Sequence, residues 1–276
     1  MVFNKWEIPD LNKSKKEIIE SDYNLNNIIS SILVNRNMDD SINMDTFYIE
    51  EYIHESPFCM ADMEITVSRI YRAIRDEEII AIYGDYDCDG VTSSSMLYLY
   101  LKSIGANVIY YIPSRSGEGY GLNCKAIKTL KDNNIDLIIT VDNGITAVDQ
   151  AAFAKTQGID LIISDHHKVP DIVPESYAIV NPHRKDCPSE FKHICGAGVV
   201  FKIIVAMEDG DYDTVFEQYG DILAIGTVGD VVPLILENRF FVKRGIEILK
   251  KTTNIGILAL CEVVGIDLKT VSSEVI

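Results

Sequence analysis

The chain is short of positive charge: 25 lysines and arginines stand against 42 aspartates and glutamates, giving a formal net charge of −17 over 276 residues. That excludes a broad basic surface able to hold long nucleic acid by its phosphates alone. No apolar run approaches the ~20 residues that a membrane-spanning helix requires. The opening segment MVFNKWEIPDLNKSKKE has no apolar centre and is not read as a secretory signal. The six cysteines (59, 88, 124, 187, 195, 261) include no CxxC pair, so redox dithiol motifs are excluded and a reduced, cytoplasmic protein is expected. His183, Cys187, His193 and Cys195 likewise lack the close pairs of a structural zinc site. Internal repeats and low-complexity tracts are absent. A hydrophobic content of 47% remains, enough for a substantial core.

Residues 1–75 read as a helical lead-in, with polar stretches separating helices near 24–35 and 62–75. Met63, Val67, Ile70 and Ile74 recur at helical spacing in the second. From 78 the rhythm becomes strand, helix, strand. Strands are expected at 79–84, 107–112, 136–141, 160–164 and 177–181, with helices near 91–103, 122–133 and 145–157. Short loops and Ile/Val-rich strands imply βαβ crossovers and an α/β fold with an open, mainly parallel five-stranded sheet flanked by helices. After 195 the chain turns helical, near 197–208, 214–226, 237–251 and 254–264. The expected divisions are a lead-in (1–75), a catalytic domain (76–235) and closing helices (236–276).

Three polar clusters fall where strands end: Asp85-Tyr-Asp87-Cys-Asp89-Gly90, Asp142-Asn-Gly144 and Asp165-His166-His167. The carboxyl ends of parallel strands form the edge where ligands collect. Carboxylates and imidazoles gathered there need positive charge between them, which divalent cations supply. The first cluster shares its opening with a calcium-binding EF-hand loop. That loop needs a glutamate six residues after the glycine, where Met96 stands, and a preceding helix rather than a strand. Helix capping by aspartates is the plainer reading, yet three acids at alternate positions exceed what a cap requires. In the third cluster one imidazole suits a metal and the other a phosphate, with Asp165 holding a ring N–H. Arg115-Ser-Gly-Glu-Gly-Tyr-Gly121 offers an arginine and pliant backbone for a phosphate or a lid, or is an ordinary flexible loop. Gly196-Ala-Gly198 opens a helix and presents N–H groups to a phosphate, or allows close helix packing. Asp230 lies in an otherwise apolar segment, where a metal or a helix-end cap would account for it.

The strings GDYDCDGVTS, IPSRSGEGYGLN, VDNGIT, SDHH, VNPHRKDCP…GAGVVFK and GTVGDVVPL, in this order, resemble the DHH phosphoesterase superfamily, and within it the RecJ-type exonucleases. The likeness covers roughly residues 60–265. It implies a two-metal site, with manganese first and magnesium second as the expected cations. Asp87, Asp89, Asp142, His166 and Asp230 match the ligand positions, Asp142 as the bridge, with Asp85 as an additional candidate. His167 matches the residue facing the scissile phosphate; Arg115, Gly196 and Gly198 are the further substrate-binding candidates, and Asp142, Asp165, His166 and His167 the catalytic set. The implied activity is 5′→3′ digestion of single-stranded DNA to 5′-mononucleotides in recombination and repair, with a single-strand-binding protein or a helicase as candidate partners. Cleavage of short oligonucleotides, cyclic dinucleotides or pyrophosphate, or a non-catalytic replication scaffold, are the alternatives. Two departures stand out. Tyr83 occupies a position where many superfamily members carry a histidine ligand, which implies a weaker metal site or recruitment of Asp85. The chain also ends where such proteins continue into further domains, so it is expected to hold the catalytic part alone.

Overall fold

The computed structural model of the chain describes residues 10–39, 44 and 52–276. They fall into two compact units, divided between Tyr52 and Ile53. The smaller contains α1 (Lys13–Asp22) and α2 (Asn27–Asn35), each started by an asparagine whose side chain accepts backbone N–H groups. Ile19, Leu33, Val34 and Met44 form its core. Helix α1 was not anticipated, because KSKKEIIESD carries a single buried residue, Ile19, and so shows no apolar stripe.

The larger unit, Ile53–Ile276, contains α3 (Met63–Arg75) together with the sheet. The sheet comprises β1 (Ile80–Tyr83), β2 (Val108–Tyr111), β3 (Leu137–Val141), β4 (Asp160–Ser164) and β5 (Ala178–Val180). All neighbours pair in parallel in the order β2-β1-β3-β4-β5. Between the strands run α4 (Cys88–Ser103), α5 (Cys124–Asp132) and α6 (Val148–Thr156). Alternate strand residues point to opposite faces. Ala81, Tyr83, Ile138, Leu161 and Ile163 pack with Ile127 and Leu130 of α5 and Ala151 and Ala154 of α6. The other face is covered by α4 and by α7 (Gly196–Met207), every residue of which is buried. Then follow α8 (Tyr212–Gly229), α9 (Leu236–Leu249) and α10 (Ile255–Val264).

From β1 the chain first moves outward to β2, then crosses back to place β3 on the other side of β1. The two crossovers diverge there and leave a crevice beyond the carboxyl ends of β1 and β3, the usual ligand position in an open parallel sheet. Asp85 and Asp142 follow those two strands.

Candidate metal centre

Each of the three polar clusters is placed by a distinct local device. Asp87 is the N-cap of α4; its Oδ1 accepts the Gly90 N–H at 2.9 Å, so the capping role is real and leaves the second oxygen free. The helix starts three residues earlier than anticipated, which puts Asp89 in its first turn, buried. Asp142 has φ 62°, a left-handed backbone that aspartate and asparagine tolerate better than most residues. This kink ends β3 and is tied down by Asn143, whose side chain donates to the carbonyls of Val141 (2.9 Å) and Tyr83 (3.3 Å).

Asp230 arrives from far along the chain as the C-cap of α8. Gly226 and Gly229 let α8 approach α4: a Cβ on Gly226 would lie 2.5 Å from Thr92 Oγ1, and one on Gly229 would lie 2.4 Å from Cys88 Sγ. The carbonyl end of a helix carries partial negative charge. An acid there is unfavourable unless a cation is nearby. Val231, next in the chain, is left-handed (φ 58°), a strained conformation for a β-branched residue that turns the backbone away directly after the acid.

The side chains converge. His166 Nε2 lies 3.0 Å from Asp142 Oδ1, 3.6 Å from Asp89 Oδ2 and 3.8 Å from Asp230 Oδ2. Three groups have potential ligand atoms within 4.8 Å of one another: Asp85, Asp87 and Asp142; Asp89, His166 and Asp230; and Asp142, His166 and His167. Asp142 is common to the all-acid group and the group with His166 and His167, and His166 in turn belongs with Asp89 and Asp230. Asp85 Oδ2 is buried without a hydrogen-bond partner, and Asp142 Oδ1 and His166 Nε2, equally buried, face each other at 3.0 Å without forming a hydrogen bond. Orphaned polar atoms aimed at one space are what a cation site provides, since uncompensated they are costly. Burial raises Asp142 to about 9, with the charge of Asp87 adding to it. Burial raises Asp89 to about 8, with Asp142 adding to it, and burial also raises Asp85 and Asp230. Among the described residues, none of these potential metal groups includes a cysteine.

Asp165 serves His167 rather than the ring of His166. Its Oδ1 accepts from the backbone of His166 (2.7 Å) and His167 (3.0 Å) and lies 2.7 Å from His167 Nδ1, while Oδ2 accepts from Ile145 (2.9 Å). Burial alone would raise this acid, but the hydrogen bond and charge of His167, with the backbone donors, bring it below the ordinary range. That hydrogen bond lifts His167 to about 9 against the opposing effect of burial. His167 is half exposed, with its Nδ1 engaged by Asp165.

Two expectations change. The N–H of Gly196 donates to Asp89 Oδ2 at 2.5 Å and that of Ala197 to Asp89 Oδ1 at 2.8 Å, so the start of α7 holds a carboxylate instead of a phosphate. Gly196 is required sterically, because a Cβ would meet that of Asp142 at 2.7 Å; Gly198 packs on Ile194, at 2.3 Å from a hypothetical Cβ. Tyr83, which stands where many superfamily members carry a histidine ligand, points into the helix-covered core, stacks on Tyr111 at 5.3 Å and donates its hydroxyl to the Gly121 carbonyl at 3.0 Å. Asp85 lies with Asp87 and Asp142 on the side of the crevice that such a ligand would serve. Arg115 is at the mouth, its guanidinium 5.3 Å above the ring of Tyr86, the residue between Asp85 and Asp87. The roles of Asp165, Gly196 and Tyr83 are set by partners 20 to 107 residues away, except for the neighbouring His167, and only the Asp-His-His spacing hinted at one of them.

The chain is similar to known proteins. The model of the DHH family, N-terminal domain, matches residues 79–227. The single-stranded-DNA-specific exonuclease RecJ of Bacillus subtilis (strain 168) is 37% identical over 273 residues, 99% of this chain and 34% of the relative. A solved structure of exonuclease RecJ bound to manganese superposes with a TM-score of 0.68 at 31% identity, over 75% of this chain and 52% of that one. RecJ from Thermus thermophilus in complex with Mn2+ shares the fold, with a TM-score of 0.75 at 24% identity over 92% of this chain and 36% of that one. The chain spans about a third of the length of its Bacillus relative. With a family match over more than half of its residues, and a metal-ready crevice at the switch point of its sheet, the chain belongs to the DHH family, and its relatives in that family are RecJ exonucleases.

Proposed function

We propose that this chain is the catalytic part of a metal-dependent, single-strand-specific DNA exonuclease acting 5′→3′ in recombination and repair in the cytoplasm. The observation that carries the reading is the convergence of buried Asp85, Asp142 and His166 atoms where the Asp85-Asp87-Asp142 group meets, through Asp142 and His166, the Asp89-His166-Asp230 group. Asp85, Asp87 and Asp142 would hold one divalent cation, and Asp89, Asp142, His166 and Asp230 a second, manganese or magnesium. Such ions supply Lewis acidity and make water a nucleophile at neutral pH. His167 donates its second ring N–H to an oxygen of the scissile phosphate, and Asp165 fixes the ring for that contact. Arg115 offers a bidentate fork to a neighbouring phosphate from its seat on Tyr86. Asp89, held by the start of α7, keeps its carboxylate oriented. Single-stranded DNA is the substrate, and further regions of longer relatives would grip the strand that this acidic chain does not; a single-strand-binding protein or helicase is the expected kind of partner.

The test is digestion of 5′- and 3′-labelled single-stranded oligonucleotides in manganese, beside a cyclic dinucleotide and pyrophosphate, by wild type and Asp142→Asn. Mononucleotide release from the 5′ end, abolished in the variant, is the expected result. Cleavage confined to the small substrates, or undiminished cleavage by Asp142→Asn, would overturn the assignment.

A further inference from the structure

The glycine-rich loop between β2 and α5 carries a side chain that the metal centre does not use. Tyr120 is flanked by two left-handed glycines, Gly119 (φ 79°) and Gly121 (φ 76°), so the backbone turns on both sides of it and presents the ring outward. The loop is anchored at both ends. The hydroxyl of fully buried Tyr83 donates to Gly121 O at 3.0 Å and accepts from Asn123 Nδ2 at 3.1 Å. Glu118 accepts from the Tyr111 hydroxyl at 2.5 Å and from the Ser114 N–H at 3.0 Å. These bonds fix the loop on both sides of Tyr120 and so set where its ring can stand.

Its position is informative. The Tyr120 ring stands edge-on to His167 with centroids 6.3 Å apart, yet Tyr120 is 55% exposed. Burial, then the charges of Asp165, Asp142, Asp85 and Asp87, raise its hydroxyl pKa. The ring therefore neighbours, at right angles, the imidazole proposed to meet the scissile phosphate, and Tyr120 keeps more than half of its surface open. On the same rim, Tyr86 already has its face covered by Arg115 at 5.3 Å. Tyr120 is the aromatic surface left beside His167 among the described residues.

A chain with 42 acidic and 25 basic residues needs a source of affinity for a polyanion that does not depend on net charge. Stacking of a base on an aromatic ring supplies this and is indifferent to sequence, because every base has a π-face. We propose that Tyr120 is a specificity-determining residue that stacks on an unpaired nucleobase next to the scissile phosphate, with Tyr83 as the positioning residue that holds its loop. A paired base has its faces occupied by neighbouring pairs, so this contact also selects single strands. The proposal rests on the exonuclease reading above.

The test measures binding of a 5′-phosphorylated pentathymidylate with phosphorothioate linkages in manganese, by fluorescence anisotropy. The same ligand is compared with versions in which an abasic residue is walked through the first three positions. Wild type and Tyr120→Phe should lose about tenfold in affinity at one abasic position, within the range of a single stacked base. Tyr120→Ala should bind the intact ligand about tenfold more weakly and no longer distinguish it from the abasic one. If Tyr120 merely buttresses His167, the alanine variant weakens both ligands equally and the discrimination survives; that overturns the proposal while leaving the exonuclease reading in place. Failure of wild type to bind any of these strands would overturn both.

Discussion

Replacing Asp142 by asparagine tests the reasoning about the metal centre most directly. Asparagine keeps the shape and tolerates the φ of 62°, whereas alanine would add backbone strain to the loss of charge. In the metal-free folded protein, burial and neighbouring acids raise Asp89 to about 8 and Asp142 to about 9. In an unfolded chain both titrate near ~3.9. Between those values the folded state holds protons that the unfolded state has released, so metal-free stability falls as pH rises from about 4 to 9. The substituted amide cannot ionise and escapes its share of this penalty. At pH 8.5 in a chelator, Asp142→Asn should therefore be more stable than wild type by about 1–3 kcal/mol, raising the melting temperature by roughly 3–10 °C. At pH 4 the two should melt together. Manganese should reverse the order at pH 8.5, stabilising wild type and not the variant. Because the cation displaces protons, wild-type affinity should climb close to tenfold per pH unit for each proton released, and level off near pH 9. Differential scanning fluorimetry over pH 4–9 and calorimetric titration with manganese read both effects. A variant that melts at or below wild type at pH 8.5, or a manganese affinity independent of pH, would refute the picture of a buried carboxylate cluster awaiting a cation.

Gly196→Ala should lower manganese affinity in the same titration and destabilise the fold by about 1–3 kcal/mol, because its Cβ would meet that of Asp142 at 2.7 Å. Asp165→Asn should drop the His167 pKa from about 9 toward ~6.5, followed by the NMR shift of the ring with pH. The stabilisation from that raised histidine is complete below ~6.5 and lost as pH passes through 9, so the variant should lose most of its stability difference in alkaline solution. Lys202→Met should destabilise by about 3–5 kcal/mol in denaturant unfolding, since it removes the ammonium 2.8 Å from buried Glu237 Oε2 and leaves that oxygen uncompensated, while Oε1 keeps His54 Nδ1 at 3.0 Å. Adding Glu237→Leu should recover much of that loss, and no recovery would count against desolvation as the cause.

Features set within a few residues along the chain were legible before folding. Five Ile/Val-rich runs became the five parallel strands, and the polar clusters after 84, 141 and 164 landed at strand ends, because period, propensity and turn chemistry are local. The motif strings identified the family for the same reason. Features that depend on packing across long separations were not legible. Asp230 was a candidate from its apolar surroundings and its motif, but the route by which it joins His166, two glycines on α8 that let that helix close on α4, is encoded by no local pattern. Gly196 and Ala197 bind a carboxylate 107 and 108 residues away, where the sequence offered an open helix start suited to a phosphate. Tyr83 looked like a missing ligand and proved to be a loop anchor, since alternation along β1 turns it to the covered face of the sheet while Asp85 lies in the crevice. Residue types announce the chemistry, but which polar atom is left without a partner, and so which site awaits a cation, emerges only when the whole chain has packed.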